Sequence, residues 1–551
     1  MAVPNIPEEH LTAFDAFEAT AKAHPSHLFL CVPDGTPEEQ KANVRVTEYD
    51  FGAVRDKVQE LRETFRNSGI GHGHRVALLL GNRAEYIFCF FALNSLGAWV
   101  IPINPENTAD EILYQLEHSD VDLGITTNLR LNAFKDIVAR YDDKIFVYAV
   151  EELPASLKVR PRKLQGGKPD RKTIAAVLYT SGTTGKPKGC LISNQYAVNA
   201  GLWYLTREGH QSMEFGQDRL FNPFPVHHMN AGIVSLMAMV YSGNCLVLWD
   251  RFHPKTWWRD VVATNSTAVH YMGLIPPVLV KQDPVPEERQ HKVKFAFGAG
   301  VDPDIHVEFE KRFGIPLIEV FGMTETGRTI SNSIEPRYIT TRAFGKARDG
   351  LEVMIADDND KPASVGTPGN LLLRYAGPDP RLGFFSGYLN DEKATEDAWR
   401  GGWFHTGDIC EQGADGMLYF VDRKKNIIRR SGENIAAAEV EAAIAAHSSV
   451  HTVACLPVPD EMRDEEVMAC IVLQPGAASS RETAESIFDQ CYKQLSYFKT
   501  PGWIVFRDEL PTTYTAKIQK SLIFGPDEEP TETPHSYDFR DRKRRPAAAA
   551  V

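Results

Sequence analysis

The sequence predicts an α/β protein, with a large N-terminal domain of layered α/β subdomains, a β-rich subdomain, and a small α+β C-terminal domain. Three observations carry that expectation. Segments of helical period alternate with short apolar or β-branched runs through most of the first 400 residues. From about Leu351 the texture changes to shorter strands with Gly and Pro turns. After Asp422–Arg430 (DRKKNIIRR) comes a compact unit of alternating character, about 100 residues long. A chain of 551 residues also exceeds what one hydrophobic core supports, so two or more domains are required.

Taken in order, Val54–Asn67 (VRDKVQELRETFRN) has the spacing of an amphipathic helix. Arg75–Leu80 (RVALLL) and Trp99–Ile103 read as buried strands. The apolar stretch Ile87–Ile103 is broken by Asn94, Ser95, Gly97 and Pro102, so it is a buried helix feeding a strand and not a membrane span. Cys245–Leu248 and Lys294–Phe297 repeat the strand pattern, which implies a largely parallel sheet. The C-terminal unit reads as helix Ala438–Ala446, strand Val450–Leu456, strand Val467–Leu473 and helix Arg481–Leu495. Pro526–Val551 is rich in Pro, Glu, Arg and Ala without periodicity, and is expected to be disordered. No internal repeats occur.

The formal charge of −13 argues against nucleic acid as a main partner, because phosphate-backbone binding needs a basic surface. None of the eight cysteines forms a C-x-x-C pair, so the thiols suggest neither a zinc site nor a disulfide framework. The N-terminus lacks the basic and apolar regions of a signal peptide, and a cytoplasmic location is expected.

Thr173–Asn194 (TIAAVLYTSGTTGKPKGCLISN) runs from an apolar strand, Ala175–Tyr179, into Thr180, Ser181, Gly182, Thr183, Thr184, Gly185, Lys186 and Lys188. Glycines let backbone N–H groups turn inward, hydroxyls add donors and lysines add positive charge, which is what a polyphosphate needs. The spacing is not that of a Walker A loop: only two residues separate Gly182 from Gly185, and Pro187 follows Lys186. A flexible surface loop is the bland alternative. In Phe321–Gly327 (FGMTETG), Thr324 offers a hydroxyl beside Glu325, a hard carboxylate suited to magnesium, although such a pair is often only a helix cap. In Trp403–Ile409 (WFHTGDI), Asp408 is an acceptor pair that suits the vicinal hydroxyls of a ribose.

The first stretch, Y-T-S-G-T-T-G-x-P-K-G, resembles the signature of the adenylate-forming superfamily of acyl-CoA synthetases, peptide-synthetase adenylation domains and beetle luciferases. The likeness extends in the family's order from the N-terminal helices to Leu522. It implies that Thr324 contacts nucleotide phosphate, that Glu325 helps bind Mg²⁺, and that Phe321, Gly322 and Met323 line the nucleotide. By the same likeness Gly298, Ala299 and Gly300 form a glycine turn beside adenine. Asp408 and Arg423 would hold the ribose, and Lys425 would be the hinge of a mobile small domain. The implied layout is residues 1–422 as the large domain, 423–428 as the hinge, 429–525 as the small domain and 526–551 as a tail. Ser431, Gly432 and Glu433 (in SGEN) resemble the loop brought to the pantetheine tunnel in CoA ligases. Leu510–Leu522 (LPTTYTAKIQKSL) resembles the element carrying the catalytic lysine, here Lys517. Two departures stand out: Ala516 replaces the usual glycine and Ala437 the usual proline.

These residues imply a ligase that adenylates a carboxylic acid with ATP and Mg²⁺ and passes the acyl group to coenzyme A. Phe224–Gly232 (FPVHHMNAG) lacks the ammonium-gripping aspartate of peptide-synthetase domains and resembles the acyl-CoA ligase element, with His228 as the pocket residue. His227 reads equally as a core histidine or a polar pocket wall. The Asp460–Glu466 stretch (DEMRDEE) also leans towards CoA ligases, and the crotonobetaine/carnitine-CoA ligase type is the nearest likeness. For Arg328 a surface salt bridge is the ordinary expectation, the alternative being contact with a second polar group on a short or hydroxylated acid. An enzyme loading a carrier protein would share these motifs, as would a luciferase-like oxygenase; a non-catalytic binding protein is harder to reconcile with them. The expected partners are small: the acid, ATP and coenzyme A, with a homo-oligomer left open.

Overall fold

The computed structural model describes residues 11–35, 43–142, 144–180, 187–348, 350–423, 426–430, 433–460, 463–495, 497–512, 518–526 and 528–543. The chain divides into two compact units. The first is Met1–Val353 with Leu373–Phe404 and Asp415–Leu418; the second is Met354–Leu372 with His405–Ala414 and Tyr419–Val551.

The first unit holds two sheets between helices. One has the spatial order Ile330–Ser331, Leu317–Phe321, Phe295–Ala299, Ala268–Met272, Arg219–Asn222, Cys245–Leu248, Leu28–Pro33, Val46–Asp50. Its inner strands are parallel, and its two outermost strands are antiparallel. Runs such as Cys245–Leu248 are buried along their whole length, as strands covered on both faces must be. The other sheet has the order Phe146–Ala149, Leu123–Thr126, Arg75–Leu79, Trp99–Pro102, Ile174–Thr180, Lys188–Ser193. All its neighbours are parallel except the last pair, an antiparallel hairpin.

Most sequence expectations recur with shifted ends. The helix expected at Val54–Asn67 starts at Phe51, because Asp50 caps it by accepting from the Ala53 N–H at 2.7 Å. Helix Ala84–Asn94 is buried nearly all round, packing Phe91 on Phe17 at 4.4 Å, which explains why its sequence reads as apolar without a polar face. Among the described residues no helix is long and apolar enough to cross a membrane. All eight cysteines are buried free thiols.

In the second unit, segments 419–423, 405–412, 369–372 and 354–356 lie in one sheet in that order. A second sheet runs Glu433–Ala436, Ile427–Arg430, Asp464–Leu473, Trp503–Phe506, Ser536–Asp538, with Val450–Asp460 also paired to Asp464–Leu473. Helices Ala437–Ala445 and Arg481–Gln494 complete a core that includes Ile428, Val440, Ile487, Phe488 and Phe506.

The tail departs from expectation. Ser536–Asp538 adds an antiparallel edge strand to Trp503–Phe506, and Phe539 is buried with its ring stacked on Phe488 at 4.9 Å. Lys543 is buried against the Glu466 carboxylate, which Arg430 also meets at 2.8 Å. A three-residue strand leaves no periodicity to read, and its partner lies some thirty residues upstream, so composition alone suggested disorder. Truncating Phe539 to Ala should cost about 3–5 kcal/mol. Lys543→Ala should cost about 3 kcal/mol, since it removes one cation from a buried carboxylate. Urea unfolding reads both, and unchanged midpoints would show that the tail does not pack.

Candidate active site

The hairpin of the second sheet sets Thr180, the last residue of one strand, directly opposite Lys188, the first of the next. Ser181, Gly182, Thr183, Thr184, Gly185 and Lys186 lie outside the described residues. The exit of the loop is held from the side: Tyr114 Oη donates to the Pro187 carbonyl at 2.9 Å. The Lys188 ammonium sits 4.7 Å from the centre of the Tyr388 ring.

Tyr388 joins this hairpin to the Thr324–Glu325 turn. Its Oη donates to Glu325 Oε1 at 2.9 Å. The Cys190 thiol lies beside both the Thr180 hydroxyl and the Glu325 carboxylate, close enough for each to act on its pKa. Burial and then the neighbouring Glu325 charge push both the Cys190 and Tyr388 pKa values well above their ordinary values. Both groups therefore stay protonated and can donate to Glu325, which is buried at 6% exposure. Backbone bonds fix the same arrangement: Phe385 N donates to the Glu325 carbonyl and Leu389 N to the Gly189 carbonyl. The Thr324 carbonyl accepts from Tyr196 Oη at 2.8 Å, on the helix that Ser193 caps. Tyr196 and Tyr388 were not anticipated, since a lone tyrosine carries no spacing signal.

Gly298 and Ala299 end one parallel strand of the first sheet, Gly300 follows, and Phe321 ends the neighbouring strand before Gly322 and Met323. The C-terminal ends of parallel strands are where α/β sheets take ligands. Gly298 has to be glycine, because a Cβ there would collide with the Tyr271 carbonyl. Beneath the turn, Glu319 accepts from the N–H groups of Gly300 (3.0 Å) and Val301 (3.4 Å) and from Tyr271 Oη. Glu319 is a further acid that the sequence did not single out.

His228 is half-buried beside His227, ring centres 4.5 Å apart, just before the wide helical turn Asn230–Ser235. Burial lowers its pKa to about 4, so the imidazole is neutral at pH 7. Arg328 contradicts its surface salt-bridge expectation. It is 3% exposed, stacks over the Tyr375 ring at 4.9 Å and donates to the Leu382 carbonyl at 3.4 Å.

In the second unit, buried Asp408 takes Arg423 at 3.5 Å, so the two expected ribose contacts are neighbours. Asp422 accepts from Arg423 N at 2.7 Å and from Ala438 N at 2.9 Å. The latter bond caps a helix whose own N-cap, Ala436, has no side-chain bond, next to Ala437 where the sequence departs from the family pattern. Lys425, Ser431, Gly432, Ala516 and Lys517 lie outside the described residues, and Glu433 is described only as backbone in strand Glu433–Ala436.

Comparison with known proteins matches residues 17–389 to the family model of AMP-binding enzymes and residues 439–517 to that of the AMP-binding enzyme C-terminal domain. The crotonobetaine/carnitine–CoA ligase of Salmonella typhimurium (strain LT2) is 28% identical over 497 residues, 87% of this chain and 93% of that protein. Its counterpart in Escherichia coli (strain SE11) is 28% identical over 493 residues, 86% and 92% respectively. Among solved structures, o-succinylbenzoate CoA synthetase of Bacillus subtilis with its acyl-adenylate superposes with TM-score 0.77 at 22% identity, covering 93% of this chain and 98% of that one. An anthranilate CoA ligase with anthranoyl-AMP gives TM-score 0.77 at 23% identity, covering 95% and 98%. These likenesses establish the fold.

The histidine environment makes stability pH-dependent. Because the folded pKa of His228 lies near 4 against an ordinary 6.5, the unfolded chain takes the proton first. The stability contributed by the neutral ring is present above pH 6.5 and is lost as pH falls towards 4. Between pH 7 and 4.5 it should cost about 2 kcal/mol. His228→Gln should flatten the dependence of Tm on pH by that amount, and superimposable curves would contradict the burial.

Proposed function

The chain belongs to the AMP-binding enzyme family, and from that premise we propose that it is an ATP-dependent carboxylic acid–CoA ligase. The acid first becomes an acyl-adenylate with release of pyrophosphate; the acyl group then passes to coenzyme A with release of AMP. The observation that carries this reading is the joining of Thr180 and Lys188, which flank the glycine-rich loop, to Glu325 through Cys190 and Tyr388. The CoA-ligase names of the curated relatives support the thiol acceptor.

A carboxylate is a poor acylating agent because its charge repels nucleophiles and oxide is a hopeless leaving group. Attack of a carboxylate oxygen on the α-phosphorus of ATP forms the mixed anhydride and breaks the bond to pyrophosphate. The CoA sulfur then attacks the acyl carbon, AMP leaves, and the thiol proton goes to solvent. Such chemistry needs positioning and charge neutralisation more than covalent help from the protein. In this reading Thr180 through Lys188 grip the β,γ-phosphates and Thr324 adds a hydroxyl contact. The strand-end glycines Gly298 and Gly300, with Ala299 and Phe321 to Met323, flank the adenine. Asp408 and Arg423 hold the ribose. His228, neutral, walls the acid pocket. Lys517 bridges the carboxylate and α-phosphate as a point charge. Ser431 to Glu433 serve the pantetheine arm, and Lys425 serves the exchange between the two half-reactions.

Magnesium fits this chain in a particular way. Among the described residues no group of three or more His, Cys, Asp or Glu could hold a metal. Glu325 would therefore contribute a lone carboxylate, as suits an ion that keeps phosphate oxygens and waters as its other ligands. When bound, Mg²⁺ neutralises phosphate charge. Eight unpaired buried thiols support a reducing, cytoplasmic setting.

Glu325→Gln should lower acid-dependent AMP release on the order of 100-fold. Lys517→Ala should abolish adenylation yet largely spare thioester formation from supplied acyl-adenylate, and Lys425→Pro should do the reverse. Equal loss of both half-reactions in the two lysine variants would refute their division of roles. AMP release indifferent to CoA would refute CoA as acceptor.

A further inference from the structure

Arg328 is a buried cation that meets no carboxylate among the described residues. Its Nε and Nη1 make no hydrogen bond to any described residue, and Nη2 reaches only the Leu382 carbonyl, at 3.4 Å. On the helix Asn194–Leu205, the buried Asn199 Nδ2 is likewise unbonded among the described residues. These donors converge over Gly383. A Cβ placed there would lie 2.8 Å from Arg328 Nη2, 3.0 Å from Asn199 Nδ2 and 3.1 Å from Arg328 Nε. Gly383, at φ +81°, has no side chain, and that lets the donors pack directly against its backbone. Nearby Arg207 adds positive charge, while Arg348 is paired with Glu208 at 3.6 Å; Arg328 is among the groups that lower the Arg207 pKa, after burial and Arg348.

Desolvating a guanidinium is unfavourable unless an anion meets it, and a buried donor without an acceptor calls for a reason. The position supplies one. Arg328 lies four residues beyond Thr324, a backbone span of at most about 14 Å. Asn199 stands three residues beyond Tyr196, the residue that holds the Thr324 carbonyl, and so on the same helix face. The Tyr375 ring fixes the guanidinium plane, presenting a fork that matches a carboxylate.

We propose that Arg328 and Asn199, the unpartnered donors gathered at Gly383, bind a second carboxylate on the substrate, so that the preferred acids are dicarboxylic. The inference rests on the ligase reading above. The local positive charge also disfavours an acid with a cationic tail.

The test measures kcat/KM for AMP release by the full-length protein with ATP, Mg²⁺ and CoA. Succinate, glutarate and adipate are set against butyrate, valerate, hexanoate and a betaine of matched length. At least one dicarboxylate should exceed its monocarboxylic analogue of equal carbon number by about 100-fold or more. Arg328→Met should bring that ratio near one, Asn199→Leu should lower it by removing the second donor, and Arg328→Lys should retain part of it. Wild-type protein that uses dicarboxylates no better than monocarboxylates or the betaine overturns the proposal and leaves the ligase reading intact. A ratio unmoved in both Arg328→Met and Asn199→Leu also overturns it. Absence of AMP release and of ATP–pyrophosphate exchange with every acid overturns the ligase reading, and this proposal with it.

Discussion

Burying a carboxylate is unfavourable unless donors surround it, and much of the first unit's site is arranged around meeting that need at Glu325. Tyr388 donates to it and the Cys190 thiol lies beside it, both held protonated by the same burial. Each comes from a different part of the chain. Cys190 lies on the strand leaving the glycine-rich loop, and Tyr388 on the segment whose backbone bonds to Gly189 and Leu191. One carboxylate thus registers the turn at Thr324 against both flanks of the loop. Lys188 profits from this, because the Tyr388 ring that serves Glu325 also steadies its ammonium. A cation–π contact holds the ammonium in place without neutralising it, as a carboxylate partner would.

Three residues after Glu325 the logic changes sign. Arg328 is as deeply buried, yet among the described residues its guanidinium meets an aromatic face and makes one long bond to a carbonyl. Burial pulls its pKa down only to about 10, so it remains charged at neutral pH. The turn therefore carries a satisfied anion at one end and an unsatisfied cation at the other. Glu319 shows what full satisfaction looks like in the same sheet: a buried acid taking two backbone N–H groups and a tyrosine hydroxyl. Against those two acids Arg328 stands out, and general packing does not explain it.

The parts of the fold legible in the sequence are those where the signal is local. The strands at Cys245–Leu248 and Trp99–Pro102 were visible because β-branched and apolar runs between turn residues have few other readings. The fused motif Y-T-S-G-T-T-G was visible because backbone-turning glycines and donors must be contiguous to hold phosphate. What stayed hidden depends on contacts distant in sequence. Tyr388 lies 63 residues from the carboxylate it serves, and Lys543 lies 77 residues from Glu466. Arg328 was visible as an arginine in the right place, but its burial is set by Tyr375 and Leu382, some fifty residues on, which no local pattern announces. Composition misjudged the tail for the same reason: one aromatic, Phe539, inserted in a core outweighs many polar neighbours.

The second unit adds a constraint that the family pattern alone does not suggest. Asp422 accepts from Arg423 N, from Asn426 Nδ2 at 3.1 Å and from Ala438 N. The last two partners lie on the far side of Lys425 in sequence, so the carboxylate ties together both flanks of the proposed hinge. Any backbone change at Lys425 that separates its two flanks has to give up those two bonds or move Asp422 with them. Hydrogen bonds to a charged group contribute about 1.5–3 kcal/mol each. Ala437 belongs to the same account. A proline at that first helical position would preset the backbone dihedral of the helix start. With alanine there, the Asp422 carboxylate supplies the order from outside the helix. One side chain therefore orders the helix entry and joins the two flanks of Lys425.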